Sequence, residues 1–203
     1  MPFIFFVFSL KKNMGKLIYF MHTSLDGFVA DTNGGMHWIH IDDELFDYVG
    51  SRVKTTDTAL YGRVTFEMME AYWPTAAQKP AATKHDIDHS RWYAKAKKVV
   101  LSRSWQGKEL PHTQIISNNL EEEISKLKAS TQNDILLFGS PSAGHSLLAK
   151  GLIDGYWLFV NPILLGKGIP LFKNVKETTK LKLMSSHAFS SGVVCLSYEL
   201  KKD

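Results

Sequence analysis

Residues 134–150 read DILLFGSPSAGHSLLAK, and the fold turns on how that stretch is parsed. Ile135, Leu136, Leu137 and Phe138 are apolar in unbroken succession, the pattern of a strand covered on both faces. Gly139 ends the run. Ser140 and Ser142 are candidate helix N-caps, and Leu147 and Leu148 open an apolar helix face. A strand, a glycine turn and a helix in that order bring free backbone N–H groups and a helix N-terminus to one point, which suits a phosphate. A second parsing exists. Gly139 and Gly144 have the spacing of a nucleotide P-loop, GxxxxGK followed by Ser or Thr, and Ser146 matches its last position. His145 stands where the lysine belongs, so the loop lacks the ammonium that holds a triphosphate. A plain strand-to-helix turn is the third parsing, and the flanking segments decide among them.

On the N-terminal side, Lys16–Met21 reads as a buried strand running into a polar turn, His22 to Gly27. Asp42–Lys54 has helical spacing, with Leu45, Phe46, Val49 and Val53 on one face and Asp42 and Asp43 at its positive end. Thr58–Tyr61 is a strand ending at Gly62-Arg63, and Val64–Tyr72 a helix closed by Pro74. Pro74–Ser90 reads as a polar loop or insertion. Lys97–Leu101 is a strand ending at Ser102-Arg103, and Gln114–Ser117 a further short strand. Asn118 or Asn119 caps a helix from Leu120 to about Ala129. On the C-terminal side, Tyr156–Val160 is a strand, and Leu181–Ser190 and Val193–Leu200 form a terminal antiparallel pair. Strands alternating with helices predict an α/β fold with a largely parallel sheet.

The chain of 203 residues is 44% hydrophobic and 22% charged, the balance of an ordinary globular protein with one domain. Its net charge of +4 comes from scattered lysines without a basic tract, so nucleic acid is not the expected partner. Cys195 is the only cysteine, which excludes an intrachain disulfide and suits a reducing, cytoplasmic setting. Residues 1–13 open with an apolar run, MPFIFFVFSL, too short to span a bilayer and without the basic start of a signal peptide. They read as an extension dispensable for folding and activity, with the folded domain covering 14–203 and no membrane partner.

Three strands end in small polar pairs: Gly62-Arg63, Ser102-Arg103 and Gly139-Ser140. Ligands of open parallel sheets sit beyond such carboxyl ends, so three of them, two with arginine, suit a phosphate-rich ligand. Together with LIYFMHTSLDGFVA, LYGRVTFE, VVLSRS, LLFGSPSAGHSLL and NPILLGKGIPLF, in this order, they resemble the dihydrofolate reductase superfamily. Within it, the likeness is to the reductase domain of bacterial riboflavin biosynthesis and its stand-alone relatives. It covers about Met14 to Leu200.

The resemblance implies a single-domain dihydrofolate reductase-like fold with helices on both faces of the sheet, a small-molecule substrate and NADPH as cofactor. Gly139, Ser140, Ser142 and Ala143 would then meet the cofactor diphosphate. Gly62, Arg63 and Thr65 would contribute at the second strand end. Leu101, Ser102 and Arg103 would hold the adenosine 2′-phosphate, for which the planar guanidinium is suited. No acid adjoins Ser102-Arg103, which favours NADPH over NADH. Ser24, Asp26 and Trp38 are the implied substrate contacts, with Asp26, Asp42 and Asp43 as candidates for proton handling. Each aspartate has a plainer reading, Asp26 as a turn acceptor and the other two as helix N-terminal charge. The reaction implied is reduction of a ribosylaminopyrimidine, with dihydrofolate or another pterin as the alternative and a non-catalytic nucleotide-binding protein as a third reading. The family also implies a homodimer with the late strands in its interface.

Departures are visible too. The proline elements that flank the tryptophan of dihydrofolate reductases are absent around Trp38, and so is the H-x-E…P-C-x-x-C signature of the zinc deaminase domain that often accompanies the riboflavin-pathway reductase. Of the eight histidines, four pair as His37/His40 and His85/His89 without an evident third metal ligand, and read as surface loop residues. No GxSxG elbow marks a hydrolase.

Overall fold

The computed structural model of the chain describes residues 14–201, so the extension 1–13 lies outside the described residues. Eight strands form one sheet. In chain order they are β1 (Leu17–Ser24), β3 (Thr58–Gly62), β4 (Lys97–Leu101), β5 (Thr113–Ile116), β6 (Ile135–Phe138), β7 (Gly155–Asn161), β9 (Leu181–Ala188) and β10 (Val194–Leu200). A separate pair, β2 (Phe28–Ala30) and β8 (Ile169–Pro170), is antiparallel. The spatial order is β5-β4-β3-β6-β1-β7-β10-β9. The first six of these run parallel, and β10 pairs antiparallel with β7 and β9. The expected mostly parallel sheet with antiparallel C-terminal strands is therefore present.

Helices cover both faces. Under α4 (Leu120–Ser130) and α5 (Pro141–Leu148) lie Leu17, Tyr19, Met21, Ile135 and Leu137. Under α1 (Asp43–Val53), α2 (Arg63–Ala76) and α3 (Lys84–Lys95) lie Ile18, Ala59, Tyr61, Leu136, Phe138 and Trp157. Alternate residues of β1 and β6 thus feed opposite cores, which is why these strands read as continuous apolar runs.

Four expectations need correcting. The polar segment after Met21 is not yet a turn: β1 continues to Ser24 because β7 pairs with it residue by residue, from His22↔Phe159 to Ser24↔Asn161. Pro74 does not close α2, which runs on to Ala76. In the last turn a proline frees only the carbonyl four residues back, a small loss before the helix ends anyway. Residues 84–95 are not a loop but α3, started by a capping box in which Thr83 and Asp86 each bond the other's backbone N–H. Its histidines are accordingly not surface loop residues. His85 stacks on Phe46 of α1 at 3.6 Å, and His89 packs against Trp73 of α2 at 4.0 Å. Of the two candidate caps of α5, Ser140 holds the cap position, and the helix starts at Pro141.

The chain visits β3, β4 and β5 before returning to place β6 between β3 and β1. That reversal is a topological switch point, where an open α/β sheet leaves a crevice beyond its strand ends.

Candidate active site

The tightest local structure at that crevice is the β6–α5 turn. Gly139 has φ +52° and Ser140 φ +62°, so two successive residues are left-handed. Glycine meets this without strain, and serine does so at a cost of about 1–2 kcal/mol. Ser140 is held there by its side chain, which is buried. Its Oγ donates to the Phe138 carbonyl at 2.9 Å and accepts from the Gly62 N–H at 2.8 Å. This serine therefore ties the end of β6 to the end of β3 instead of capping its own helix. Pro141 sets the first helical φ, and helix geometry leaves the N–H groups of Ser142 and Ala143 without intrahelical acceptors.

At the end of β3, a Cβ on Gly62 would lie 3.3 Å from the Ser140 Cβ and 3.5 Å from that of Ala143. Glycine lets the two turns close on one another. Thr65, in the first turn of α2, flanks Gly139: a Cβ there would lie 3.5 Å from the Thr65 Cγ2. Arg63 is paired with Glu67 at 2.8 Å, one helical turn on. At the end of β4, the Ser102 N–H donates to the Ile116 carbonyl at 3.0 Å, and a single 3-10 turn, Arg103–Trp105, follows. Arg103 is exposed and makes no ion pair among the described residues.

These strand ends border one open cleft of about 1090 Å³. Gly62, Arg63, Thr65, Leu101, Ser102, Arg103, Gly139, Ser140, Ser142 and Ala143 all line it. The residues expected on the substrate side are held elsewhere. The Asp26 carboxylate accepts from the Ser24 Oγ at 2.6 Å, the Gly166 N–H at 2.7 Å and the Leu165 N–H at 3.1 Å. Those bonds hold its pKa below the usual carboxylate range, the Ser24 hydroxyl having the largest effect. Ser24 in turn accepts from the Phe28 N–H at 2.9 Å, so the pair clasps the β1–β2 turn to the loop after β7. Asp42 is the N-cap of α1, accepting from the Leu45 N–H at 2.8 Å, and Asp43 lies exposed in its first turn. Trp38 is half-buried, and its indole N–H has no acceptor among the described residues. None of these five residues lines the cleft, although Met36 and Ile39 beside Trp38 do.

Sequence reasoning missed a further part of the lining, Met21, His22, Val29, Met36 and Ile39, together with Met68 of α2. On α2, Val64 and Met68, one turn apart, stay exposed while Phe66 between them is buried. Burial pushes His22 down to about 4, leaving a neutral imidazole stacked on Phe159 at 5.0 Å. Also missed was the end of β5, where Ser117, Asn118 and Glu121 join the lining. Gly144 has no part in a P-loop. A Cβ there would meet the Tyr19 ring at 2.5 Å, so its glycine lets α5 lie on the sheet. His145 bonds the Pro170 carbonyl at 2.9 Å, fastening α5 to β8. Among the described residues, no group of three or more His, Cys, Asp or Glu side chains could hold a metal, and no helix is long and apolar enough to cross a membrane.

Comparison with known proteins places this geometry in a family. The protein YyaP of Bacillus subtilis is 34% identical over 188 residues, covering 90% of this chain and 94% of YyaP. A pyrimidine reductase-like protein from Corynebacterium diphtheriae shares the fold at a TM-score of 0.66 and 19% identity, over 94% of both chains. A dihydrofolate reductase from Enterococcus faecalis, solved with NADP(H), shares it at a TM-score of 0.61 and 14% identity, over 93% of this chain and 98% of that one. The sheet is thus a dihydrofolate reductase-like sheet. Residues 15–195 match the RibD C-terminal domain, and the chain belongs to that family.

Proposed function

We propose that this chain is an NADPH-dependent reductase, passing a hydride to a C=N or C=O carbon of a small heterocyclic or sugar-linked substrate. The observation that carries this reading is the convergence of three strand ends on one cleft, with Gly62 and Gly139 in its lining.

The residues fit the cofactor. The left-handed Gly139-Ser140 turn and the N–H groups of Ser142 and Ala143 form a cradle for a diphosphate. Gly62 and Thr65 close its other side. Arg103, free of any ion pair among the described residues, has its guanidinium available for a 2′-phosphate, with the Ser102 hydroxyl beside it. When bound, NADPH supplies the hydride from its nicotinamide ring. The protein's part is to hold the two reactants in register and to exclude water from the face between them. Asp26, Asp42 and Asp43 are committed to a loop clasp and a helix end, so this reading draws the proton from solvent at the open side of the cleft. Reduction of a ribosylaminopyrimidine is the family precedent for such chemistry. A homodimer draws support from β9, an edge strand exposed along its whole length, with Leu183 and Met184 half out in solvent.

The test is a fluorescence titration of NADPH and NADH into the wild-type protein and Arg103→Ala. Loss of one charged contact should weaken NADPH by about 1.5–3 kcal/mol, roughly 10- to 150-fold, and leave NADH unchanged. Equal weakening of both cofactors would remove Arg103 from the 2′-phosphate, and no binding of either would remove the reductase reading.

A further inference from the structure

We propose, resting on the reductase reading above, that the second molecule in this cleft is an uncharged planar ring compound without a phosphate, gripped by methionines and one hydrogen bond from His22. The cleft is large enough for two occupants. At about 1090 Å³ it lies at the top of the range of roughly 300–1,000 Å³ that a single ligand fills.

Its lining changes character across the sheet. The charged side chains that border it are Arg63, Arg103, Glu121 and Lys150. Two of these cancel, since Lys150 is ion-paired with Glu121. Arg63 turns back onto Glu67. Arg103 follows β4, which lies three strand positions from β1, roughly 14 Å across the sheet. Around the end of β1 the wall is instead Met21, Val29, Met36, Ile39 and Met68, with His22 as its titratable member. Lys167 belongs to the loop whose Gly168 packs on Ala30, but does not line the cleft. A phosphate carried to this end would lose its hydration with no cation to replace it. The thioether side chains of Met36 and Met68, both exposed, are flexible and polarisable and suit the face of a flat conjugated ring.

His22 supplies the one directional contact. Asn161 Oδ1 accepts from the His40 N–H at 3.0 Å, and the two N–H groups of Nδ2 go to the carbonyls of Phe159 and Thr23 at 3.1 and 3.3 Å, which leaves the His22 Nδ1, 3.5 Å away, only a weak contact. The His22 Nε2 has no partner among the described residues, and in the neutral ring it offers one hydrogen bond, as donor or acceptor according to the tautomer.

The experiment titrates a matched pair, a ribosylaminopyrimidine with and without its terminal phosphate, into the full chain, both free and saturated with NADP+. The phosphate-free member should bind about tenfold or more tightly. Met36→Arg, at a position already 42% exposed, gives this end a cation and should narrow that ratio at least about threefold. His22→Phe should weaken the phosphate-free member by about 3- to 10-fold, with His22→Gln, which keeps a donor, recovering part of the loss. Equal or tighter binding of the phosphorylated member overturns the inference, as does failure of the NADP+-loaded protein to bind either. Failure of the cofactor reading is seen separately, as absence of NADP+ binding, and the free protein still reports the charge preference.

Discussion

Ser140 is where fold and site are most tightly coupled, and replacing it separates two opposed effects. In Ser140→Ala the Gly62 N–H loses its acceptor and the Phe138 carbonyl loses a donor, both in a region where Ser140 is only 6% exposed. An unpaired buried N–H costs about 1–3 kcal/mol, and the carbonyl, with a second lone pair, less. Alanine keeps the left-handed φ of 62°, so that strain remains. Ser140→Gly loses the same two bonds but relieves about 1–2 kcal/mol of backbone strain. Urea unfolding should therefore rank the proteins wild type, Ser140→Gly, Ser140→Ala, with Ala lowest by about 2 kcal/mol and Gly between. Both variants should also weaken NADPH, because the β3 and β6 turns are no longer tied. A Gly variant less stable than the Ala variant would refute the assignment of strain to this residue. An Ala variant as stable as wild type would refute the role of the Ser140–Gly62 bond.

Gly144→Ala sets a methyl group 2.5 Å from the Tyr19 ring, and overpacking of that kind should lower stability by about 1–3 kcal/mol in the same urea assay. Tyr19→Phe removes a buried hydroxyl that has no partner among the described residues, and should be neutral or stabilising. Asp26→Asn presents an amide N–H₂ to a backbone N–H, so the loop around Lys167 should open to trypsin while NADPH affinity is kept; lost affinity with an intact loop would contradict the clasp. Burial lowers His22 to about 4 and His89 to about 3, from 6.5, so both rings are neutral in the fold and the unfolded chain binds more protons in between. Stability should accordingly fall as pH drops below about 6.5, by at most about 2 kcal/mol per ring near pH 5, an upper bound because both rings keep some exposed surface. A urea midpoint constant across that window would show that neither histidine is held neutral.

The strand ends that line the cleft were legible because their signals are local. Each is a glycine or serine pair at the end of an apolar run, and a strand end fixes where such a pair must sit. What was illegible depends on partners distant in sequence. The α3 segment reads as polar because its inner face is built from His85, His89, Trp92 and Tyr93 rather than aliphatic residues. Those rings become a packing surface only when Phe46 and Trp73 arrive from other helices. The capping pair Thr83 and Asp86 was the local clue to that helix. Pro74 was overweighted, since a proline stops a helix only where more than a turn remains to be lost. Ser24 and Asp26 resemble a site in sequence because turn clasps and substrate clamps draw on the same short polar side chains.

The substrate half carries its information in a different form. His22 extends the alternating series Ile18, Phe20, His22, whose earlier members pack under α1. A histidine in a buried register is ordinarily a satisfied core residue, and nothing in the sequence separates that case from a ligand contact. The separation comes from counting partners. Phe159 covers one face of the ring, and Asn161 approaches Nδ1 only at 3.5 Å, which leaves Nε2 without a partner among the described residues. The same count applies to Val64 and Met68, which stay exposed on a helix whose opposite face is already packed. Apolar side chains left out of a completed core, in the same cleft as a polar group with one bond unmade, are what a pocket for an uncharged ring requires. His22 and the exposed apolar side chains meet both conditions in one cleft, and the ends of β4 and β6 bring the opposite pair: Arg103, unpaired among the described residues, and the open N–H groups of Ser142 and Ala143. One crevice at one switch point therefore presents two chemistries, the pair that the proposed dinucleotide and a flat neutral acceptor would need.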